Sequence, residues 1–352
     1  MKLLVISLAG IGDTLFATPL IHELRANFPA ATIDALVMWP GAKDLLEHNP
    51  HINRVFQKNL IKCGRLEAVR FLWSLRREGY QLSINTHPQS RIHYRLAAWL
   101  AGAEVRLSHE YECFNWLDRW LVTGTLPQDY TRHAAENNLA VLPLIGAQKK
   151  LPAHELELFL TPAEEKWADD FLARAGLTGK KWLGIHVGSG GTKNLALRRW
   201  PLENYIELSR KLGEWQKDFP ILFFGGPEEA ASHEKIHLQL PNAVFPPTKN
   251  LRQAAAVIRR ARAFLSVDTA LMHVAATMKV PAQMVIETPT WNKPIEPFGN
   301  AFTLIKNPAV AGRGLDFYRY DGGDIKGTRE EIIACMKSVT VAEVFATVTK
   351  LI

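Results

Sequence analysis

Cysteine is scarce in this chain. Cys63, Cys113 and Cys335 are the only three among 352 residues, and a widely spaced, odd-numbered set supplies neither a disulfide framework nor a paired-cysteine metal site. A reducing compartment, by default the cytoplasm, is expected. Long hydrophobic runs are missing as well. No stretch approaches the roughly 18 uninterrupted apolar residues of a membrane span, and the opening apolar run leads into Gly10-Ile-Gly-Asp13 with no small-residue cleavage site. Neither a spanning segment nor an export signal is expected. Zinc-finger, helix-turn-helix and RNP-type patterns are absent, which argues against nucleic acid as partner. No His-x-x-x-His pair, EF-hand loop or Gly-x-Ser-x-Gly elbow occurs, and the twelve histidines are scattered, so a metal-free site is expected.

What is present is a globular composition, 47% hydrophobic and 22% charged, at a length beyond the size at which one hydrophobic core keeps growing. Strand-length apolar runs at Lys2–Ser7, Thr32–Met38, Gln81–Asn85 and Glu104–Leu107 alternate with helical stretches at Thr14–Asn27, Arg65–Arg77 and Arg91–Leu100. The second half repeats the scheme with strands at Trp182–Val187, Ile221–Phe224, Phe264–Val267 and Ala282–Ile286 and helices at Leu202–Trp215 and Leu251–Ala261. Buried, non-alternating strands between helices mark parallel α/β sheets. The polar stretch Gly146–Ala153 reads as an exposed connection, giving two α/β domains at residues 1–155 and 156–352. A last apolar-faced helix, Val341–Leu351, must dock on one of them.

The net charge of +7 is concentrated. Between Arg54 and Arg95 nine basic residues, Lys62, Arg65 and Arg91 among them, stand against two acids, an excess that attracts anions or an anionic surface. A solvated helix face rich in Arg is the plain alternative.

Ligands of parallel α/β sheets bind in the loops beyond the carboxyl ends of the strands, and two such loops are unusual. Gly10 and Gly12 follow the first strand directly, with Asp13 and Thr14 where a helix begins; glycine permits close backbone approach, and free helix amides favour negative charge. Asp13 serves either as an N-cap or as a carboxylate that takes a proton from a hydroxyl nucleophile. In the second half, His186-Val-Gly-Ser-Gly-Gly191 follows a strand, with Ser189 and Gly190 in its turn and Lys193, Arg198 and Arg199 close behind, a set suited to a diphosphate. Asp268, Thr269 and His273 stand at a later strand end, where Asp268 could be only an N-cap and His273 only a satisfied helix residue. Glu228 follows another strand.

These residues resemble glycosyltransferase family 9, the family of ADP-heptose:lipopolysaccharide heptosyltransferases. The likeness runs over nearly the whole chain and rests on Gly10-Ile-Gly-Asp-Thr-Leu-Phe-Ala-Thr-Pro-Leu20, His48-Asn-Pro-His-Ile-Asn53, Arg199-Trp-Pro201, Asp268-Thr-x-x-x-His273 and the tail from Cys335 to Val344. It implies a GT-B architecture, two Rossmann-like domains with parallel sheets facing across a central cleft, an acceptor-binding N-terminal domain and a nucleotide-sugar-binding C-terminal domain. It implies inverting, metal-independent transfer of a sugar, heptose from ADP-heptose, to a lipopolysaccharide-core or related cell-surface glycan, with no cofactor beyond the donor. Asp13 would then be the general base. Ser189, Gly190, Lys193, Arg198, Asp268, Thr269 and His273 would surround the donor diphosphate and sugar, and Glu228 the ribose. Gly10, Gly12, Thr14, Lys62, Arg65 and Arg91 would meet an anionic lipid-linked acceptor at the cytoplasmic face of the inner membrane, where the protein would sit peripherally.

The sequence departs from the family pattern in places. Ala270 stands where glycine usually follows the Asp-Thr pair, and Ile286-Glu-Thr-Pro-Thr-Trp291 adds a carboxylate and an indole beside the expected donor site. Another nucleotide sugar as donor, a nucleotide-sugar epimerase and a non-catalytic nucleotide-binding paralogue are the competing readings.

Overall fold

The computed structural model describes residues 1–190, 195–217, 219–310 and 328–352. They divide into two compact units. The first comprises Met1–Phe159 and Lys293–Phe298, and the second Leu160–Asn292 with residues 299–310 and 328–352. Against the expected 155/156 division, four further residues and the later segment Lys293–Phe298 go with the first unit. His133 accounts for the later segment: its Nε2 lies 2.9 Å from the Glu296 carbonyl and its ring stacks on Phe298 at 4.5 Å.

The first unit is a six-stranded parallel sheet of β1 (Lys2–Ser7), β2 (Thr32–Val37), β3 (Arg54–Gln57), β4 (Leu82–Asn85), β5 (Val105–Glu110) and β6 (Gly124–Pro127), in the order β3-β2-β1-β4-β5-β6. Its helices are α1 (Ile11–Leu15), α2 (Thr18–Asn27), α3 (Pro40–Leu46), α4 (Arg65–Ser74), α5 (Ile92–Ala101), α6 (Trp116–Leu121) and α7 (Ala134–Leu139). Because side chains alternate along a strand, Leu3 and Val5 pack with Leu20, Ile21 and Leu24 of α2 on one face. Leu4 and Ile6 pack with Leu72, Ala97 and Ala101 beneath α4 and α5 on the other.

The second unit is a five-stranded parallel sheet of β7 (Leu183–His186), β8 (Ile221–Phe224), β9 (Ala263–Ser266), β10 (Ala282–Ile286) and β11 (Phe302–Ile305), in the order β11-β10-β9-β7-β8. It is covered by α8 (Pro162–Arg174), α9 (Leu202–Trp215), α10 (Ala230–Gln239), α11 (Leu251–Ile258), α12 (Ala270–Thr277), α13 (Arg329–Lys337) and α14 (Val341–Leu351). The final helix docks here, burying Val341, Val344 and Val348 in the same core as Leu208 and Leu212 of α9.

Three sequence expectations are corrected. The helix expected over Thr14–Asn27 is two helices broken at Phe16–Ala17, because Pro19 lacks an N–H and its ring opposes the carbonyl four residues back. The helix expected to reach Arg77 ends at Ser74 and tightens into a 3-10 turn over Leu75–Glu78. Strands β3, β6 and β11 were not expected; all three lie at sheet edges and are only partly buried, so they lack the continuous apolar run that marks an inner strand. The connection after Gly146 is exposed but pinned: buried Glu23 on α2 accepts from the Lys150 and Leu151 amides at 2.9 Å and from His154 at 2.8 Å, and Asn27 donates to the Gln148 carbonyl.

No single helix among the described residues is long and apolar enough to cross a membrane.

Candidate active site

Both strand orders reverse direction beside the first strand of their sheet, between β1 and β4 in one unit and between β7 and β9 in the other. Such a reversal opens a crevice at the carboxyl end of the sheet; Gly10, Gly12, Asp13, Thr14 and Arg91 follow the strands at one reversal and Ser189, Gly190, Arg198, Asp268, Thr269 and His273 those at the other, whereas Lys62 and Arg65 follow edge strand β3 and Glu228 edge strand β8.

In the first unit the loop after β1 carries Gly10 and Asp13. Gly10, not Asp13, is the N-cap of α1; Asp13 is the third helical residue, and its Oδ2 accepts the Gly10 N–H at 2.7 Å. A Cβ on Gly10 would lie 2.8 Å from that oxygen and would press on the carboxylate. The Trp39 indole donates to the Ala9 carbonyl at 2.7 Å and fixes the loop from α3. Thr14 and Gly12 are buried, and the Thr14 hydroxyl turns back to the Gly10 carbonyl at 3.3 Å.

Across the reversal, the loop after β4 is held by a buried ion pair. Arg95 meets Asp118 at 2.5 Å with both side chains 1% exposed, and donates to the Gln89 and Ser90 carbonyls at 3.1 and 2.7 Å. Arg91 ends this loop, exposed. Buried Asn138 links the two loops, accepting the His87 N–H at 2.7 Å and donating to the Phe16 carbonyl at 3.0 Å. Neither Asn138 nor Arg95 stood out in sequence, because each acts across more than twenty residues with no local motif.

The basic window of the first unit is not one solvated face. Arg54 is paired with buried Asp34 at 2.8 Å and with Glu78, Lys58 with Glu67, and Arg95 is internal. Lys62, Arg65, Arg70, Arg77 and Arg91 are exposed.

In the second unit three strand ends converge. Arg198, in a short 3-10 turn, places Nη1 2.6 Å from Asp268 Oδ2 after β9 and 2.7 Å from Thr290 Oγ1 after β10, with 11% of its side chain exposed. Its Nε is buried with no hydrogen-bond partner among the described residues. Asp268 is not the N-cap. Thr269 caps α12, its hydroxyl accepting from the Leu271 and Met272 amides, which leaves the Asp268 carboxylate for Arg198. His273 lies one turn further on, buried, and burial lowers its pKa to about 3; it is a neutral imidazole and contributes no cation.

Arg199 does something different from Arg198. It donates to the Ser189 carbonyl at 3.0 Å and lies 3.4 Å from buried Glu229, tying the loop after β7 to the turn after β8. The Ser189 hydroxyl closes its own loop on the Leu195 carbonyl at 2.6 Å. Gly188 is required by close approach, since a Cβ there would fall 2.3 Å from Glu229 Oε1. Gly190 and Glu228 are exposed at the same sheet edge. Lys193 lies outside the described residues. Of the departures after β10, Glu287 accepts the Asn307 amide at 2.9 Å, and the Trp291 ring packs on Phe302. Thr290 and Glu229 were not singled out in sequence, because threonine and glutamate in a loop carry no signal until their partners are known.

One group of metal-ligating side chains occurs among the described residues, His22, His51 and Glu157. The two imidazoles stack 3.8 Å apart at 16°, so no point lies near both ring planes, and His22 Nδ1 is within hydrogen-bond distance of Glu157 Oε1 at 2.6 Å. The group clasps the 147–159 segment to α2.

Two doubly wound parallel units of this kind are the GT-B architecture of glycosyltransferases, and solved structures share it across the whole chain. A family 9 glycosyltransferase from Veillonella parvula superposes with a TM-score of 0.77 at 20% identity, covering 99% of this chain and 96% of that one. Escherichia coli heptosyltransferase WaaC with ADP gives 0.71 at 16% identity over 100% of both chains. Residues 69–309 match glycosyltransferase family 9 (heptosyltransferase), and the chain belongs to that family. Among its relatives, lipopolysaccharide heptosyltransferase 3 of Escherichia coli is 25% identical over 288 residues, 77% of this chain and 78% of that protein. Lipooligosaccharide heptosyltransferase 2 of Haemophilus influenzae is 23% identical over 327 residues, 87% and 88% of the two chains.

Proposed function

We propose that this glycosyltransferase moves heptose from ADP-heptose to a lipopolysaccharide-core or related cell-surface acceptor, with inversion and without a metal, working in the cytoplasm against the inner membrane. The observation that carries the reading is Arg198, a nearly buried guanidinium held by Asp268 and Thr290 at the sheet reversal of the second unit, with its Nε unpartnered among the described residues. A guanidinium so oriented suits the diphosphate of a nucleotide sugar, together with the amides of Gly188–Gly190.

In the reaction, the ionised Asp13 carboxylate takes the proton of an acceptor hydroxyl as its oxygen bonds to the anomeric carbon. The bond from that carbon to the diphosphate breaks on the opposite side. Negative charge builds on the departing ADP, where Arg198 and the loop amides stabilise it. Neutral His273 and the N-cap Thr269 line this end of the donor site, Glu228 takes the ribose, and Ser189, Gly190 and Lys193 serve the phosphates. Gly10, Gly12 and Thr14 shape the acceptor side around Asp13, and exposed Lys62, Arg65 and Arg91 meet the acidic groups of a lipid-linked acceptor.

The test is a thermal-shift panel of ADP, UDP and GDP with their sugars, since a ligand that binds only the native state raises its apparent stability. Selective stabilisation by ADP compounds, weakened in Arg198→Ala, is expected. Stabilisation by UDP or GDP compounds would remove heptose as the donor, and turnover of donor with no glycan product would point to an epimerase. A chain that none of them stabilises would be a non-catalytic paralogue.

A further inference from the structure

Helices α4, α5 and α6 of the first unit leave an aromatic and cationic face uncovered. On α4, Leu66 (64% exposed), Val69 and Trp73 (52%) fall at spacings of three and four and share one face, with Arg70 between them. On α6, Trp116 (79% exposed) and Trp120 (60%) are one turn apart. The two helices are joined through α5. The Arg76 guanidinium lies 4.1 Å from the Trp73 ring and 5.6 Å from Trp99, and Trp99 and Trp120 are 5.4 Å apart. Arg76 is locked there by the Trp99 and Leu100 carbonyls at 2.9 and 3.0 Å. Three of the four exposed tryptophans among the described residues lie on this band.

Two physical facts narrow the occupant. Single exposed apolar residues are ordinary, but a contiguous band of indoles marks an interaction surface. The cations beside it, Arg70 and Arg77, have no ion pair among the described residues, whereas the nearby acids Glu67 and Glu110 are engaged by Lys58 and Arg119. A second copy of the same face would set like charges against each other. An anionic bilayer accepts both features at once, because indoles favour the headgroup level and Arg and Lys are drawn to acidic lipids.

We propose that the α4–α6 face docks the protein on an anionic phospholipid bilayer, with Trp73, Trp116 and Trp120 entering the headgroup region and Arg70 and Arg77 lying against lipid phosphates. The proposal gives a place to the membrane association in the proposed function and rests on that reading only for which leaflet is met. It is tested by co-sedimentation of the full chain with phosphatidylcholine vesicles, with and without phosphatidylglycerol. Wild type binds only the anionic vesicles, and its tryptophan emission is quenched by bromine-labelled acyl chains. Arg70→Gln/Arg77→Gln weakens partition about thirtyfold, and Trp116→Ser/Trp120→Ser loses the quenching, while both keep the wild-type circular dichroism and ADP affinity. Wild type that ignores anionic vesicles, or variants that bind them as well as wild type, overturn the proposal. A solution dimer that Trp116→Ser dissolves assigns the face to a second copy and overturns it too. If vesicles bind as expected while ADP binds no variant and not the wild type, the donor reading fails and the docking face stands.

Discussion

The two units solve one problem in different ways. Each sheet reverses beside its first strand, and each places a glycine loop at that reversal, after β1 in one unit and after β7 in the other. In the first unit the loop turns its own backbone to a carboxylate: the Gly10 N–H donates to Asp13. In the second the loop is braced by charge, Arg199 to Glu229 behind it and Arg198 to Asp268 beside it. In the proposed reaction the carboxylate has to exchange a proton with a substrate. A cation that must stay fixed while negative charge develops gains from rigid partners, which cost no reorganisation during reaction. Substitutions in the first unit should therefore act on turnover, and those in the second on stability and donor affinity together.

The largest effect tests the first half of that contrast. Asp13→Asn keeps the shape and an acceptor oxygen for the Gly10 amide but removes the base, and transfer should fall about 10³-fold. ADP affinity and melting temperature should stay at wild-type values. Retained transfer measured by product formation would take Asp13 out of the mechanism. Next, Asp268→Ala leaves Arg198 nearly buried without its carboxylate, and urea unfolding should show a loss of about 2 kcal/mol, less than a fully dry pair would lose. ADP should stabilise this variant more than wild type, because its phosphates supply the missing anion. Equal stabilisation of both proteins would mean that Arg198 does not face the nucleotide.

A third effect lies away from the site. Glu164, at the start of α8, would have its pKa raised by burial, but the two-pronged contact from Arg252 at 2.5 and 2.8 Å outweighs this and holds it at about 2. The folded value lies below the ordinary 4.5, so the pair's contribution is complete above about pH 4.5 and fades as pH falls toward 2. Glu164→Gln should be less stable than wild type at neutral pH and converge with it in acid. A stability gap that stays constant with pH would assign the pair no role in acid unfolding.

How much of this was legible in the sequence follows from the range of the interactions involved. Inner strands such as β1 and β10 announce themselves because both their faces are buried, and edge strands β3, β6 and β11 do not. Asp13 and Asp268 were visible as carboxylates after strands, but their plain alternative, helix capping, could be judged only from geometry: Thr269 takes the cap position in place of Asp268, whereas Asp13, behind the N-cap Gly10, still closes the capping box of α1. The choice between Arg198 and Arg199 is invisible locally, since adjacent residues differ only in what lies 30 or 70 positions away. The exposed face of α4 and α6 was half visible, as charge, because its indoles join only when α5 brings Trp99 between them.

The smallest expected effects sharpen the comparison most directly, because they place the same methyl group in the two loops. In Gly188→Ala the new Cβ meets Glu229 Oε1 at 2.3 Å and His186 Cε1 at 2.9 Å. Both neighbours are buried and tied, Glu229 to the Gly226 amide and Arg199, His186 to the Phe224 carbonyl. Neither can yield cheaply, so unfolding should cost about 1–3 kcal/mol. In Gly10→Ala the Cβ meets Asp13 Oδ2 at 2.8 Å and Cγ at 3.5 Å, both in one half-buried side chain and neither in the backbone. Stability should then change by less than about 0.5 kcal/mol, while transfer falls because the carboxylate has left its Gly10 hydrogen bond. Equal stability losses in the two variants would show that the β1 loop is packed as tightly around its glycine as the β7 loop, and the contrast between the two loops would fail.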